Sequence, residues 1–281
     1  MWAGTFSTMN AGAYSPSLSE LLDVCVAATR AAGDVLIAGL ARDKEVVQKS
    51  ERASIVTWAD VTSQAEIFRV IGEHFPAHAI LGEEGDGGGP DETFTWIVDP
   101  LDGTSNYASG IPFACTSVAV KDADGVAAGA IFEPFRGELF TATRGGGAWL
   151  AEQRLEVKQN ESLDRALVAT GLQSDDPAEI AAHARRIEAL HLYTRGARGL
   201  GSPALCLAYV AAGRIDAFYE RDATYAWDVA AGGLMITEAG GRCDDLDGGP
   251  LNLGHGVANV LGTNGGIHDA LFDLLQRTDR G

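Results

Sequence analysis

The sequence WIVDPLDGTSNY, residues 96–107, joins an apolar strand to an acidic turn. The apolar residues that precede Asp99 are typical of a strand buried on both faces. Pro100 has no N–H group to donate to a neighbouring strand, so the strand is expected to end there. The stretch therefore predicts that Asp99 and Asp102 lie together just beyond the end of a buried strand.

The turn at Gly103 and Thr104 suits a site for cations and phosphate. Carboxylate oxygens are preferred ligands of magnesium, and the N–H groups of a turn or helix start can bind a phosphate. The alternative is an ordinary hairpin loop, because Asp-Gly is by itself a turn signal. Further acidic positions at Glu83 and Asp228 favour the metal site.

Composition limits the classes of protein to which the chain can belong. Its 281 residues are enough for one long domain or two fused lobes. The net charge is −18, from 39 acidic and 21 basic residues, which argues against a nucleic-acid partner because binding the phosphate backbone needs a basic surface. No apolar run approaches the roughly 20 residues of a membrane span, and residues 1–16 resemble a disordered leader or a remnant of cloning.

The cysteines are too far apart to indicate a zinc site. No C-x-x-C pair occurs, and no histidine lies at zinc-ligand spacing. We therefore expect buried free thiols in a reducing cytosol. The four are Cys25, Cys115, Cys206 and Cys243.

Helix and strand signals alternate along the chain in two rounds. Ser17 begins a capping box and a long amphipathic helix, and Asp60 is expected to cap a second helix. Residues 116–150 predict an antiparallel meander. After about residue 168 a second α/β region begins, with helix starts at Asp176, Ser202 and Trp227. This order predicts stacked α and β layers.

Acidic residues outside the central stretch lie at the boundaries of two predicted elements. Glu83 and Glu84 follow a short strand at residues 79–81, and Asp228 lies in the first turn of an apolar helix. Adjacent acids are also typical of a solvated turn, and a first-turn carboxylate is often only a helix cap. Both alternatives remain open for these residues taken singly.

Three motifs together resemble the inositol monophosphatase family. They are GEE at residues 82–84, WIVDPLDGTSNY at 96–107, and WDVAAG at 227–232 with EAGG at 238–241. The resemblance covers roughly residues 18–276. It implies an α/β fold, a layered αβαβα sandwich, as one domain over residues 17–281 with lobes at about 17–160 and 161–281.

The resemblance also implies an activity. Members of the family are magnesium-dependent, often lithium-sensitive phosphomonoesterases, and they are usually homodimers. The expected protein is cytoplasmic and acts on a small phosphorylated substrate, first of all inositol monophosphate. Neither nucleic acid nor a membrane is an expected partner.

The family pattern assigns ligands for two or three magnesium ions. The first ion would be held by Glu83, Asp99 and the carbonyl of Leu101. The second would be held by Asp99, Asp102 and Asp228, and Glu83 would share a third, weakly held ion. Two-metal phosphoryl transfer follows from such an arrangement.

The catalytic residues implied by the resemblance are Glu83, Thr104 and Asp60. Glu83 and the Thr104 hydroxyl would place a water, and Asp60 would pair with Thr104. Lys49 and Glu84 are further candidates near the metals.

Substrate contacts are implied mainly on the later part of the chain. The backbone of the central turn would bind the phosphate, and a carboxylate and a helix start would contact hydroxyl groups. The implied contacts are Asp102, Gly103, Thr104, Gly201, Ser202, Glu220 and Asp228.

Two departures from the family pattern concern the substrate side. Pro203 stands where a small alanine is more usual. The connection from Glu220 to Asp228 is one residue longer than is typical, with Arg221 and Asp222 inside it.

Several other functions remain as alternatives. Histidinol-phosphate, fructose-1,6-bisphosphate and adenosine bisphosphate phosphatases belong to the same superfamily. Aspartyl-phosphate phosphatases use Asp-x-Asp, whereas this chain has Asp-x-x-Asp with Pro100 between the acids. A non-catalytic metal-binding scaffold is the third alternative.

Overall fold

A computed structural model describes residues 15–42, 46–48 and 55–280. Lys49 and most of the predicted leader, residues 1–14, lie outside the described residues. Among the helices that are described, none is both long and apolar enough to cross a membrane.

The helices and strands alternate as follows. The helices are α1 (Leu18–Gly39), α2 (Trp58–His74), α3 (Thr104–Ala108), α4 (Pro177–Tyr193), α5 (Pro203–Ala211), α6 (Ala226–Glu238) and α7 (His268–Arg280). The first ten strands are β1 (Val47–Gln48), β2 (Ile55–Val56), β3 (His78–Gly82), β4 (Gly87–Gly88), β5 (Asp91–Asp102), β6 (Cys115–Asp122), β7 (Gly125–Glu133), β8 (Glu138–Thr143), β9 (Gly147–Leu150) and β10 (Gln153–Arg154). The last five are β11 (Leu167–Thr170), β12 (Gly196–Arg198), β13 (Ala217–Glu220), β14 (Arg242–Asp244) and β15 (Val260–Thr263).

Two sheets carry the fold. The larger has the order β10-β9-β8-β7-β6-β5-β3-β4 and is antiparallel except between β3 and β5, so the predicted meander is confirmed. The smaller has the order β12-β11-β13-β15-β14, with β11 parallel to both β12 and β13. A division into lobes near residue 160 stays a prediction.

Apolar side chains form three cores that fill the spaces between five layers. Helices α1 and α2 pack on the outer face of the large sheet. Helices α5 and α6 lie between the two sheets within one continuous core, and α4 and α7 cover the far face of the small sheet. The predicted αβαβα sandwich is confirmed.

Strand β5 does not end at Pro100, and that prediction is wrong. The strand runs through to Asp102, and its register against β6 shifts between Asp99, opposite Ser117, and Asp102, opposite Cys115. Two residues of β5 thus oppose a single residue of β6, as in a β-bulge, where a missing N–H group is tolerated. The bulge carries the chain past Pro100 and keeps both acids on the strand.

The second helix begins earlier than its acidic residue suggests. Its N-cap is Thr57, not Asp60, and Asp60 is the third residue of the helix. The Asp60 carboxylate accepts hydrogen bonds from the Thr57 N–H and hydroxyl, both at 2.7 Å. By contrast, the capping box predicted at Ser17 and Glu20 is confirmed at the start of α1.

Helices α5 and α6 approach each other closely at a glycine of α6. A Cβ atom on Gly232 would lie 2.4 Å from Cβ of Leu207 on α5. Real Cβ atoms are almost never this close. The glycine therefore sets the spacing of the middle layer, from which both helices present residues to the site.

We expect Gly232→Ala to lower the free energy of unfolding by about 1–3 kcal/mol, because the added methyl group overpacks the α5–α6 contact. Gly72→Ala in α2 is the matched control, since a Cβ there meets nothing within 4 Å. That control should gain up to about 1 kcal/mol from helix propensity. Urea unfolding of both variants measures the difference, and equal effects would contradict the packing argument.

Candidate active site

One cavity of about 410 Å³ collects the acidic residues that the sequence singled out. It opens where β5 of the large sheet, β13 of the small sheet and the start of α6 meet. The acidic residues that line it are Glu83, Asp99, Asp102, Glu220, Asp222 and Asp228. Residues more than 100 positions apart in sequence thus share one site.

Three of these carboxylates form a tight cluster. Asp99, Asp102 and Asp228 each offer an oxygen, and these oxygens all lie within 4.8 Å of one another. Asp99 and Asp102 are buried, whereas Asp228 is half-buried. Such a group of oxygen ligands is suited to a hard divalent cation.

Glu83 lies beside the cluster at the end of a neighbouring strand. Strand β3 runs parallel to β5, and the Glu83 N–H continues the ladder by donating to the Val98 carbonyl at 3.2 Å. Its charge raises the pKa of both Asp99 and Asp228, although it is not one of the three carboxylates within 4.8 Å. Glu84 is not among the cavity-lining residues.

Burial and mutual repulsion govern the electrostatics of the cluster. Burial, followed by the charges of Glu83, Asp102 and Asp228, raises the pKa of Asp99 well above its usual range. Burial and the charge of Asp102 likewise raise the pKa of Asp228. A divalent cation among these oxygens would reverse the shifts, because it would become the dominant local charge.

Asp102 is held by the start of helix α5. Its Oδ2 atom accepts hydrogen bonds from the Ser202 hydroxyl at 2.5 Å, the Ala204 N–H at 2.8 Å and the Leu205 N–H at 3.4 Å. Burial raises the pKa of Asp102 to about 6, and these bonds oppose the rise. Ser202 is the N-cap as predicted, but its hydroxyl serves Asp102 instead of its own helix.

The turn after β5 lies against the same helix start. Gly103 has φ +90°, which favours glycine, and a Cβ there would meet the Gly201 carbonyl at 3.1 Å and Ser202 Cβ at 3.2 Å. Gly103 and Gly201, both predicted as phosphate or substrate contacts, line the cavity, while Ser202 is buried behind it.

Thr104 links the turn to α2. Its hydroxyl lies 2.9 Å from Asp60 Oδ1 and 3.0 Å from the carbonyl oxygen of Leu101. An ionised carboxylate only accepts hydrogen bonds, so the hydroxyl donates toward these two oxygens. Burial raises the pKa of Asp60, and the bonds from Thr57 and Thr104 oppose that rise.

Glu220 ends β13 on the opposite side of the cavity. It is 4% exposed, and no hydrogen bond from another described residue reaches its carboxylate. Burial and the charge of Asp102 raise its pKa to about 8. A Cβ on Gly171, just after the parallel strand β11, would lie 2.7 Å from Glu220 Oε2, so a larger residue there would displace the carboxylate from its present position.

The connection from Glu220 to Asp228 is held by hydrogen bonds to residues that are not among those lining the cavity. The Asp222 N–H donates to Asn259 Oδ1 at 2.7 Å, and the Thr224 hydroxyl donates to the Ala258 carbonyl at 2.5 Å. Asp222 has φ +62°, which is uncommon for a residue other than glycine. Both Asp222 and Tyr225 line the cavity.

The donor set fits magnesium better than a softer metal. The ligands are carboxylate oxygens, and neither cysteine nor histidine is among the described residues that line the cavity. No lysine or arginine is among the described residues that line it either. Three of the four cysteines are buried and Cys243 is half-buried, and all are free thiols as predicted.

Several lining residues were missed from the sequence. Leu172 and Gln173 follow β11, and Tyr225 stacks on Trp227 with ring centroids 5.0 Å apart. A signal for the first pair exists, because loops at the carboxyl ends of parallel strands often form binding sites. The sequence did not indicate which strand lies beside β13.

Comparisons with known proteins agree with this geometry. A profile of the inositol monophosphatase family matches residues 17–279. An inositol-1-monophosphatase of Synechocystis is 37% identical over 267 residues, covering 94% of this chain and 92% of the relative.

Solved structures of similar proteins share the fold. An extragenic suppressor protein suhB from Bartonella henselae superposes with a TM-score of 0.85 at 34% identity, covering 92% of this chain and 99% of that one. An inositol monophosphatase from Anabaena superposes with a TM-score of 0.81 at 36% identity, covering 92% and 96%.

We expect Glu220→Gln to change how stability depends on pH in the protein stripped of divalent cations. A carboxyl group whose folded-state pKa is raised keeps a proton that the unfolded chain has lost, so stability falls as pH rises from about 4.5 to 8. The amide has no such titration. The free energy of unfolding of the Glu220→Gln variant, relative to that of wild type, should therefore rise with pH by at most about 1.4 kcal/mol per pH unit.

Glu138→Gln is the control, because Arg214 lowers the pKa of Glu138. Above pH 5 that variant should differ from wild type by a constant amount. Urea unfolding at intervals from pH 5 to 8 measures both variants. A pH-independent difference for Glu220→Gln would contradict the assignment.

Proposed function

The chain belongs to the inositol monophosphatase family, and on that premise we propose that it hydrolyses small phosphomonoesters, inositol monophosphate first, with magnesium. The observation that carries the proposal is the convergence of Glu83, Asp99, Asp102 and Asp228 on one cavity. The inositol monophosphatase and inositol-1-monophosphatase names of similar proteins support the same substrate class.

The carboxylates would hold two or three magnesium ions. Glu83, Asp99 and the Leu101 carbonyl suit one, and the three carboxylates of the tight cluster suit another. When bound, magnesium supplies positive charge that lowers the pKa of a water molecule and stabilises the phosphoryl oxygens.

Thr104 and Glu83 would orient the attacking water. The Thr104 hydroxyl directs its proton toward Asp60 and the Leu101 carbonyl, so its oxygen can accept a hydrogen bond from the water. The Glu83 carboxylate can accept the other. Asp60 would then be a positioning residue, because it is buried behind Thr104 and is not among the lining residues.

The phosphate and the leaving group would lie on different sides of the cavity. The N–H groups at Gly103 and Thr104 would bind phosphate oxygens at the start of α3. Glu220 would accept hydrogen bonds from hydroxyl groups of the leaving alcohol, where Asp222 and Tyr225 also line the wall. Asp102 and Asp228 lie between the two sides.

Lithium sensitivity, a homodimeric state and a cytoplasmic location complete the proposal. They rest on the family resemblance, and the four free thiols are compatible with a reducing compartment.

Asp99→Asn should lower kcat at least about a thousandfold, because it removes a charge shared by both proposed cation sites and several kcal/mol of charge stabilisation with it. Magnesium should raise the Tm of wild type by mass action but not that of the variant. Without magnesium the variant should melt no lower than wild type, since one of several repelling charges is gone. Asp124→Asn in the exposed β6–β7 turn is the control and should behave as wild type. Turnover near the wild-type rate in Asp99→Asn would refute the shared-ligand role.

A substrate panel tests the proposed substrate class. Inositol 1-phosphate should have a higher kcat/KM than histidinol phosphate, fructose 1,6-bisphosphate or adenosine 3′,5′-bisphosphate, because Glu220 offers acceptors to neutral hydroxyl donors. Added lithium should inhibit, and chelation of divalent cations should abolish turnover. The highest kcat/KM on histidinol phosphate would overturn the polyol assignment, and no hydrolysis of any ester with magnesium would overturn the enzyme assignment.

A further inference from the structure

On the cavity wall at the start of α5, the first turn of the helix, residues 203–206, has no N–H group left to offer a ligand. Pro203 is the first residue of that helix and lines the cavity. A helix start normally offers several N–H groups that no helical carbonyl uses. Proline removes the first of them because it has no N–H group.

The remaining donors of the first turn are already engaged. The N–H groups of Ala204 and Leu205 donate to Asp102, and so does the Ser202 hydroxyl. The Cys206 N–H donates to the Ser202 carbonyl as the first bond within the helix. A ligand beside α5 therefore meets the Pro203 ring and no N–H group from the first turn.

Glu220 also lines the leaving-group side of the cavity. It offers polar oxygen atoms to a ligand, whereas Pro203 offers an apolar ring. Its carboxylate is almost completely buried, lines the cavity and accepts no hydrogen bond from another described residue. It is a group that a leaving alcohol can satisfy with hydroxyl donors. The pocket thus combines a buried carboxyl group, whose oxygens can accept a hydrogen bond from a ligand, with the apolar surface of the Pro203 ring.

We propose that Pro203 is a specificity-determining residue, which makes the site prefer leaving groups that place hydroxyl donors on Glu220 and a C–H surface against α5. A hydroxyl directed at Pro203 loses its hydration and finds no donor in exchange, so its substrate is disfavoured. This inference rests on the proposed phosphomonoesterase activity. It concerns only the discrimination between leaving groups.

The start of α4 shows that proline at the first helical position has another use in this chain. Pro177 holds that position in α4, after the N-cap Asp176, whose side chain accepts from the Ala178 N–H at 2.8 Å. Pro177 is exposed and is not among the cavity-lining residues. Both prolines favour a helix start, and only Pro203 does so on the cavity wall.

The test compares Pro203→Ala with Pro177→Ala in the magnesium-loaded full chain. Alanine restores an N–H group at the cavity wall in the first variant and at the surface in the second. The substrates are inositol 1-phosphate, which carries ring hydroxyls, and cyclohexyl phosphate, which carries none. For Pro203→Ala we expect the ratio of kcat/KM values, inositol 1-phosphate over cyclohexyl phosphate, to rise about two- to tenfold, the range of one added hydrogen bond.

The change should appear mainly in KM, because a contact to a non-reacting hydroxyl stabilises the bound substrate and the transition state alike. Pro203→Ser supplies the same N–H group and should raise the ratio similarly, so the test survives if one variant folds poorly. Pro177→Ala should leave the ratio at the wild-type value. An unchanged ratio in both Pro203 variants, or an equal rise in Pro177→Ala, overturns the inference. The proposed function is tested separately, by whether the wild-type protein hydrolyses either ester.

Discussion

The site depends on one buried carboxylate that joins the large sheet to the middle helical layer. Asp102 is the last residue of β5, and its Oδ2 atom accepts hydrogen bonds from the start of α5. These bonds fix where the end of the strand lies relative to a helix that packs against both sheets. Because Gly103 approaches Gly201 and Ser202 closely at the same point, the turn after β5 and the start of α5 keep a fixed spacing at the cavity.

The acidic cluster opposes folding unless a cation compensates it. Asp99 and Asp102 are buried and Asp228 is half-buried, one oxygen of each lies within 4.8 Å of the others, and each has a raised pKa. Hydrogen bonds from the backbone lower the free-energy cost of burying these charges. Asp228 accepts a hydrogen bond from the Tyr225 N–H at 2.6 Å, and Asp99 accepts one from the Leu101 N–H at 2.9 Å. Carboxylates with raised pKa values that share a cleft are typical of functional sites. A divalent cation among these oxygens would become the dominant local charge, and the proposed binding of an anionic ester by an acidic chain depends on that reversal.

Features set by local sequence were predictable, whereas those set by a partner element were not. The cap at Ser17 and the two-residue turn between β6 and β7 follow from residues close in sequence. The passage of β5 through Pro100 depends on a register shift against β6, which is not visible in the chain before the neighbouring strand is known. The start of α2 at Thr57 is a different case, because its capping box with Asp60 is as local as the one at Ser17 and could have been predicted from the sequence.

The same distinction applies to the site. Asp228 was open to two interpretations, as a helix cap or as a metal ligand, and its position makes the two compatible, because it accepts from the N-cap N–H and also belongs to the carboxylate cluster. Gly171 and Gln173 were missed because only the parallel pairing of β11 with β13 brings them to the cavity. The cluster residues come from the family motifs, whereas Gly171, Gln173 and Asp222 come from loops that the motifs do not cover. These loop residues line the cavity without taking part in the carboxylate cluster, so a substitution in the loops can alter the shape of the wall while the cluster stays as it is.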